Sequence, residues 1–276
     1  MARRIWDFNT PHIIGGKRER YRERGRRRRG MGRTIVIALI VATIIAGLAF
    51  GIYLYGPSYF RLSKADYYAL TLTRTDSLKA AEDASKAVSA AGGAGYILND
   101  GDFLVAAFVY KKESDAKVVL DRFSSDYPDA GLRSYQFGRT RVRRSGDRGA
   151  EAKLRELLNY PLKLVDELIG YVYALDSFES GESAVMLKVE GLKSDVKARK
   201  DEAEILAAGR AAGAADGKAE ERATACYRAT AEFYEDIYDS LCGVSLLSGA
   251  EKKLTHRLKN VCCELVEKYW GLRERL

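Results

Sequence analysis

One run of apolar positions stands apart from the rest of the chain. Thr34 to Tyr55, TIVIALIVATIIAGLAFGIYLY, contains no charged residue and is flanked by Arg33 and Arg61 as the nearest charges. As a single α-helix it would reach about 33 Å, enough to cross a hydrocarbon core of about 30 Å. The pattern therefore predicts a transmembrane helix over residues 34–55. An uncleaved anchor is favoured over a signal peptide, because the run is longer than a usual signal core. The aromatic residues Tyr53, Tyr55, Tyr59 and Phe60 also resemble an interfacial belt.

After Lys64 the period changes. Asp66 to Arg74, DYYALTLTR, sets Tyr68, Leu70 and Leu72 against Ala69, Thr71 and Thr73, the period-two signature of a strand. Ser77 to Ala91 reads as a helix with Leu78, Ala81, Ala84, Ser85 and Val88 on one face, capped by Asp76 or Ser77 and ended by Gly92-Gly93. Gly95 to Asn99 is a short strand, and Asn99-Asp100-Gly101-Asp102 a hairpin turn in which Gly101 takes a positive φ. Phe103 to Tyr110, FLVAAFVY, has the length and continuity of a buried central strand. A helix from Ser114 to Phe123 and a strand within Gly131 to Gly138 complete a β-α-β-β-α-β order, the split βαβ sandwich.

From Ala150 onwards the spacing is helical. Leu154, Leu157, Leu158, Leu162, Val165, Leu168, Ile169 and Val172 recur at helical intervals, with Pro161 predicting a kink or break near Tyr160. Gly181 to about Tyr238 is long for one helix, and Gly209, Gly213 and Gly217 mark a close crossing or a break within it. A last helix, Glu251 to Arg273, turns Leu254, Leu258, Val261, Leu265 and Tyr269 inward. The expected fold class is α+β: an N-terminal transmembrane helix, a ferredoxin-like βαββαβ sandwich over 66–137, a basic linker over 138–149, and an α-helical bundle or hairpin over 150–276.

Charge adds an orientation. Residues 1–33 carry twelve Lys/Arg against three acids, a net +9, which leaves −1 for the remainder of a chain whose total is +8. On the positive-inside rule this places the N-terminus in the cytoplasm and the body outside the cell membrane, a single-pass topology. The tail lacks the apolar residues for a core and reads as disordered. Its arginines either set topology alone or also contact anionic lipids. Nucleic acid is disfavoured as a partner, because no aromatic residues interleave the arginine block. Arg139, Arg141, Arg143, Arg144 and Arg148 make the linker basic as well.

There are two histidines, His12 in the tail and His256 on a charged helix face, where a surface position is expected, and neither belongs to a nucleophile motif. No glycine loop opens a helix after a strand as a phosphate cradle would. No enzyme activity, cofactor or metal is therefore expected, and a zinc site fails for want of a paired C-x-x-C and a second nearby histidine. Cys226, Cys242, Cys262 and Cys263 are left open between disulfides and buried thiols.

The strand YYALTL, GGAGYI after the first helix, and FLVAAFVYKKESDAKVVLDRF together resemble the sporulation-related repeat, or SPOR domain. The resemblance covers about a quarter of the chain. It implies a ferredoxin-like sandwich that binds septal or spore peptidoglycan at glycan strands stripped of their peptides, in a protein of cell division or sporulation. Tyr68, Leu70, Leu72, Leu104, Ala106 and Phe108 are then the candidate glycan-binding residues of the open sheet face. Leu70 and Leu104 depart from the polar residues the family usually carries there, which makes that face apolar. A shift of the first strand by one residue would turn Ala69, Thr71 and Thr73 outward instead. An exposed apolar face calls for a cover, either the C-terminal helices or a partner protein. Two functions follow as expectations: a membrane-anchored peptidoglycan-binding protein that recruits division or sporulation membrane proteins, or a membrane-anchored interaction scaffold whose sandwich has lost glycan binding. In both, the C-terminal helices can mediate homo-oligomers.

Overall fold

The structure is a computed structural model that describes residue 38 and residues 40–47, 59–143, 148–212, 218–245 and 251–276. Met1–Pro57 and Ser58–Leu276 form separate compact units.

In the first unit, residues 40–47 are helical (α1), with Ile40, Val41, Ile44 and Ile45 about half exposed. The expected membrane span must be corrected. Among the described residues no helix is long and apolar enough to cross a membrane. The remainder of Thr34–Tyr55 lies outside the described residues. The single-pass localisation, cytoplasmic N-terminus and extracytoplasmic body rested on that span, and they are corrected with it. Freedom from charge identifies an apolar stretch; it does not establish a continuous helix of spanning length.

The second unit is built on a four-stranded sheet. Its strands are β2 (Ala65–Thr75), β3 (Tyr96–Asp100), β4 (Asp102–Tyr110) and β5 (Gly131–Phe137), in the order β3-β4-β2-β5, every neighbouring pair antiparallel. With α2 (Leu78–Ala90) after β2 and α3 (Glu113–Phe123) after β4, this is the split βαβ arrangement. Ser77 caps α2 by accepting from the Ala80 amide, and Gly101 turns the β3–β4 hairpin at φ +81°. A small second sheet pairs β1 (Tyr59–Arg61) with β6 (Arg141–Arg143), which lies inside the stretch expected as a linker.

Four helices follow: α4 (Arg148–Asp176), α5 (Glu182–Ala212), α6 (Lys218–Ser245) and α7 (Glu251–Arg275). α4 runs through Pro161 without ending. Proline lacks the N–H that would bond the carbonyl four residues back, Leu157. That carbonyl instead accepts the Tyr234 hydroxyl of α6 at 2.6 Å, while Leu158 O accepts Tyr269 of α7 and Leu162 O, at 3.2 Å, shares the single hydroxyl hydrogen of Tyr67 of β2 with Asp166. Three tyrosines from three other elements thus serve the backbone around one proline. All three hydroxyls are buried donors that would otherwise cost about 1–3 kcal/mol each.

The sheet carries two unequal cores. On one side Leu70, Leu72, Ala81, Val88, Val105 and Ala107 close a small aliphatic core with α2, and Val119 and Leu120 of α3 pack against it. On the other, Tyr67, Ala69, Leu98, Ala106, Phe108, Tyr135 and Phe137 join the apolar stripes of α4–α7 in one continuous cluster. The sandwich and the C-terminal helices therefore share a core.

Candidate functional site

The six candidate glycan-binding residues do not form one surface. Leu70 and Leu72 lie in the small core beneath α2, 1% and 4% exposed, whereas Ala106 and Phe108 belong to the large core, 0% and 5% exposed. Leu104 is half-buried against that large core, and Tyr68 is half-buried at a position paired with Tyr110. The cause is the β2–β4 ladder, which changes register between Leu70 and Thr71 and again between Thr71 and Thr73. A bulge re-aims the side chains that follow it, so period-two extrapolation from one strand to the next fails here. Of the residues the alternative register would turn outward, Ala69 and Thr71 are buried and Thr73 is half-buried.

What covers the second face is mainly α7, fastened by polar side chains aimed at backbone oxygens. At one end His256 Nδ1 lies 2.7 Å from Gly93 O, Lys259 Nζ donates to Gly92 O at 3.1 Å, and Asn260 Nδ2 donates to Ala94 O at 3.1 Å. A carbonyl only accepts, so Nδ1 of His256 carries the hydrogen. The surface position expected for His256 is thus replaced by a structural one. The loop it grips needs glycine. Gly92 and Gly95 take φ +89° and +59°, and a Cβ on Gly95 would lie 2.1 Å from Ser89 Oγ.

At the other end Arg273, 7% exposed, donates to Ser63 O at 2.9 Å, Gly138 O at 2.5 Å and Thr140 Oγ1 at 2.9 Å, and it lies over the rings of Phe137 and Tyr269. Between the two ends Glu267 accepts the Tyr135 hydroxyl, with Arg133 beside it at 3.8 Å. Burial first, and the Glu267 carboxylate next, push the Tyr135 phenol far above its ordinary value. Burial and Asp166 do the same to Tyr67. None of these side chains was legible as a site, although their placement on α7 among the apolar positions 254, 258, 261, 265 and 269 is a pattern that a sealing helix would produce.

The cysteines are free thiols. Cys262 and Cys263 are fully buried and both are pushed up by that burial; Cys226, partly buried, is raised from 9.0 to about 11 by desolvation. Thiols so far from the thiolate form are not activated nucleophiles. Among the described residues no group of three or more His, Cys, Asp or Glu side chains is placed to hold a metal.

One open cleft lies outside the sealed face. It has a volume of about 470 Å³ and sits between the start of β2 and the middle of α4, with Lys64, Asp66, Lys111, Asn159, Lys163 and Asp166 on its walls. Asp166 anchors it: one oxygen accepts Tyr67 OH at 3.0 Å and the other faces Lys111 Nζ at 2.5 Å. Asn159 is also committed, accepting the Ser63 amide at 2.7 Å and donating to Arg155 O at 2.8 Å.

No family model, no curated protein and no solved structure matches the chain. The likeness to the SPOR domain accordingly rests on the residues quoted for it and on nothing further.

Proposed function

We propose that this protein is a non-catalytic protein-interaction scaffold, in which a ferredoxin-like sheet serves as the platform for a long helical hairpin. The observation that carries this reading is the cover on the sheet. A face able to hold a polymer must be reachable, and here α7 lies over it, held by His256, Lys259, Asn260, Glu267 and Arg273. Binding of glycan strands on that face would require those contacts to break together.

The hairpin supplies an accessible surface instead. Val185, Val189, Leu192, Val196 and Ala203 of α5 face inward and are buried. A second row on the same helix, Ala184, Leu187, Gly191, Ser194, Ala198, Asp201, Ile205 and Ala208, is exposed along its whole length. Its intervals alternate between three and four residues, the spacing of a helix-pairing seam. Leu187 and Ile205, 77% and 71% exposed, mark its two large apolar positions about five turns apart. Such a row suits a protein helix better than a hydroxyl-rich polymer.

The test is co-sedimentation of the full chain with intact cell-wall sacculi and with sacculi stripped of stem peptides. The scaffold reading expects the protein to stay in the supernatant with both. Retention that rises on stripped glycan would overturn it in favour of peptidoglycan binding.

A further inference from the structure

We propose that the cleft between β2 and α4 is a binding site for small organic oxyanions, molecules carrying a carboxylate or phosphate group, with Lys64 and Lys163 as the anion-binding residues. This assignment is independent of the scaffold reading. It follows from which hydrogen-bonding groups on the cleft walls are already used. Of the acceptors, Asp166 takes both Tyr67 and Lys111 and the Asn159 carbonyl takes the Ser63 amide, while Asp66 is approached only by Lys64 at 3.6 Å. Lys111 is committed to Asp166 in turn.

Lys64 and Lys163 are different. Their nearest carboxylate oxygens, on Asp66 and Glu167, stand at 3.6 and 3.4 Å, longer than a good charged hydrogen bond. Each ammonium has three N–H groups to offer. Both side chains are two-thirds exposed, at 65% and 69%. Ion pairs this exposed contribute about 0–1 kcal/mol, so a ligand oxyanion can replace the carboxylate at little cost.

The rest of the cleft limits the ligand's size and shape. Three lysines against two aspartates leave the walls with a net positive charge. A volume of about 470 Å³ exceeds that of a bare ion and falls within the range of small-molecule sites. Ala65 and Leu162 give the remainder of the ligand an apolar contact. Asp166, Tyr67 and Lys111 are tied to one another on the cleft wall.

The test is isothermal titration of the full chain with inorganic phosphate, with acetate, and with a neutral disaccharide, repeated on K64A/K163A. Both lysines are exposed and make no buried contact, so the variant is expected to keep the parent's melting temperature. Saturable binding of phosphate or acetate, weakened at least tenfold in the double variant and by added salt, supports the site; the stronger of the two ions identifies the anionic group. Equal binding to parent and variant means an adventitious ion only and overturns the proposal. Absence of binding by both ions, or binding of the neutral sugar with the lysines irrelevant to it, overturns it too.

Discussion

The two faces of the sheet are closed in different ways. The face against α2 and α3 is local and aliphatic: its buried residues, from Leu70 to Ala107, come from within about forty positions of one another. The face against α4 and α7 is distant and aromatic. It is completed by residues 95 to 210 positions away and held by hydrogen bonds from Tyr67, Tyr135, His256, Asn260 and Arg273. Apolar burial is non-directional and tolerates repacking, while a side chain aimed at one carbonyl has a single solution. The polar clamps thus set where α7 lies, and the large apolar core supplies most of the driving force.

The sharpest way to break this contrast is Arg273→Ala. It deletes three charge-assisted hydrogen bonds and leaves Ser63 O, Gly138 O and Thr140 Oγ1 without that partner, so a loss of about 3–4 kcal/mol is expected in urea unfolding. A loss below about 1 kcal/mol would mean that apolar packing alone places the helix.

Tyr234→Phe is a smaller intervention. It removes one hydroxyl and strands the Leu157 carbonyl that Pro161 cannot serve, at an expected cost of about 1–3 kcal/mol by the same assay. Adding Pro161→Ala, which restores a backbone N–H for Leu157 O, should recover part of that loss.

Alkaline pH probes the large core that continues from the distant face into the helices. Burial raises Tyr160 and Tyr269 from 10.0 to about 12, and Cys226 from 9.0 to about 11. Each is neutral when protonated, so the unfolded chain gives up its protons first. The corresponding stability is intact below about pH 9 and is lost as pH climbs through about 11 to 12. Ionisation read by residue at Tyr160 and Tyr269, apart from exposed phenols such as Tyr59, should therefore come late and together with the loss of helical signal; early ionisation of these two without unfolding would show that water reaches them.

The least effect is expected at Phe178, beyond the end of α4, which is 92% exposed and holds φ +57°. A left-handed conformation costs a bulky residue about 1–2 kcal/mol that glycine avoids. Phe178→Gly should raise stability by about 1 kcal/mol, with no change on either sheet face.

The helical half of the aliphatic face was legible in the sequence because its information is local, whereas its strand leucines, Leu70 and Leu72, were expected on the open face. Ala81 and Val88 face the sheet as their spacing indicates, although Leu78, assigned to the same face, is half exposed. The inward row of α7, from Leu254 to Tyr269, was legible for the same reason. Two irregularities defeated the reading of the sheet: the slips at Leu70, Thr71 and Thr73 divided the expected binding residues between opposite cores. Pro161 reads in sequence as a kink or a break, and α4 does not break there because a hydroxyl from Tyr234, 73 positions away in the chain, serves the carbonyl it leaves open. His256 reads in sequence as a surface residue because a side chain that binds a distant carbonyl looks like one that binds water. The span expected at 34–55 is corrected because, among the described residues, no helix is long and apolar enough to cross a membrane.

The central claim is that α7 permanently seals the second face of the sheet, and Cys262 and Cys263, both buried in the large core, report on it directly. Native thiol labelling resolved by residue, with Cys226 and Cys242 as partly exposed references, measures how often that helix lifts. The account predicts that the 262 and 263 thiols react only as fast as the whole unit unfolds, in step with added urea. Rapid labelling of both while the far-ultraviolet helical signal stays intact would contradict it, and would return the sheet face to the list of available binding surfaces.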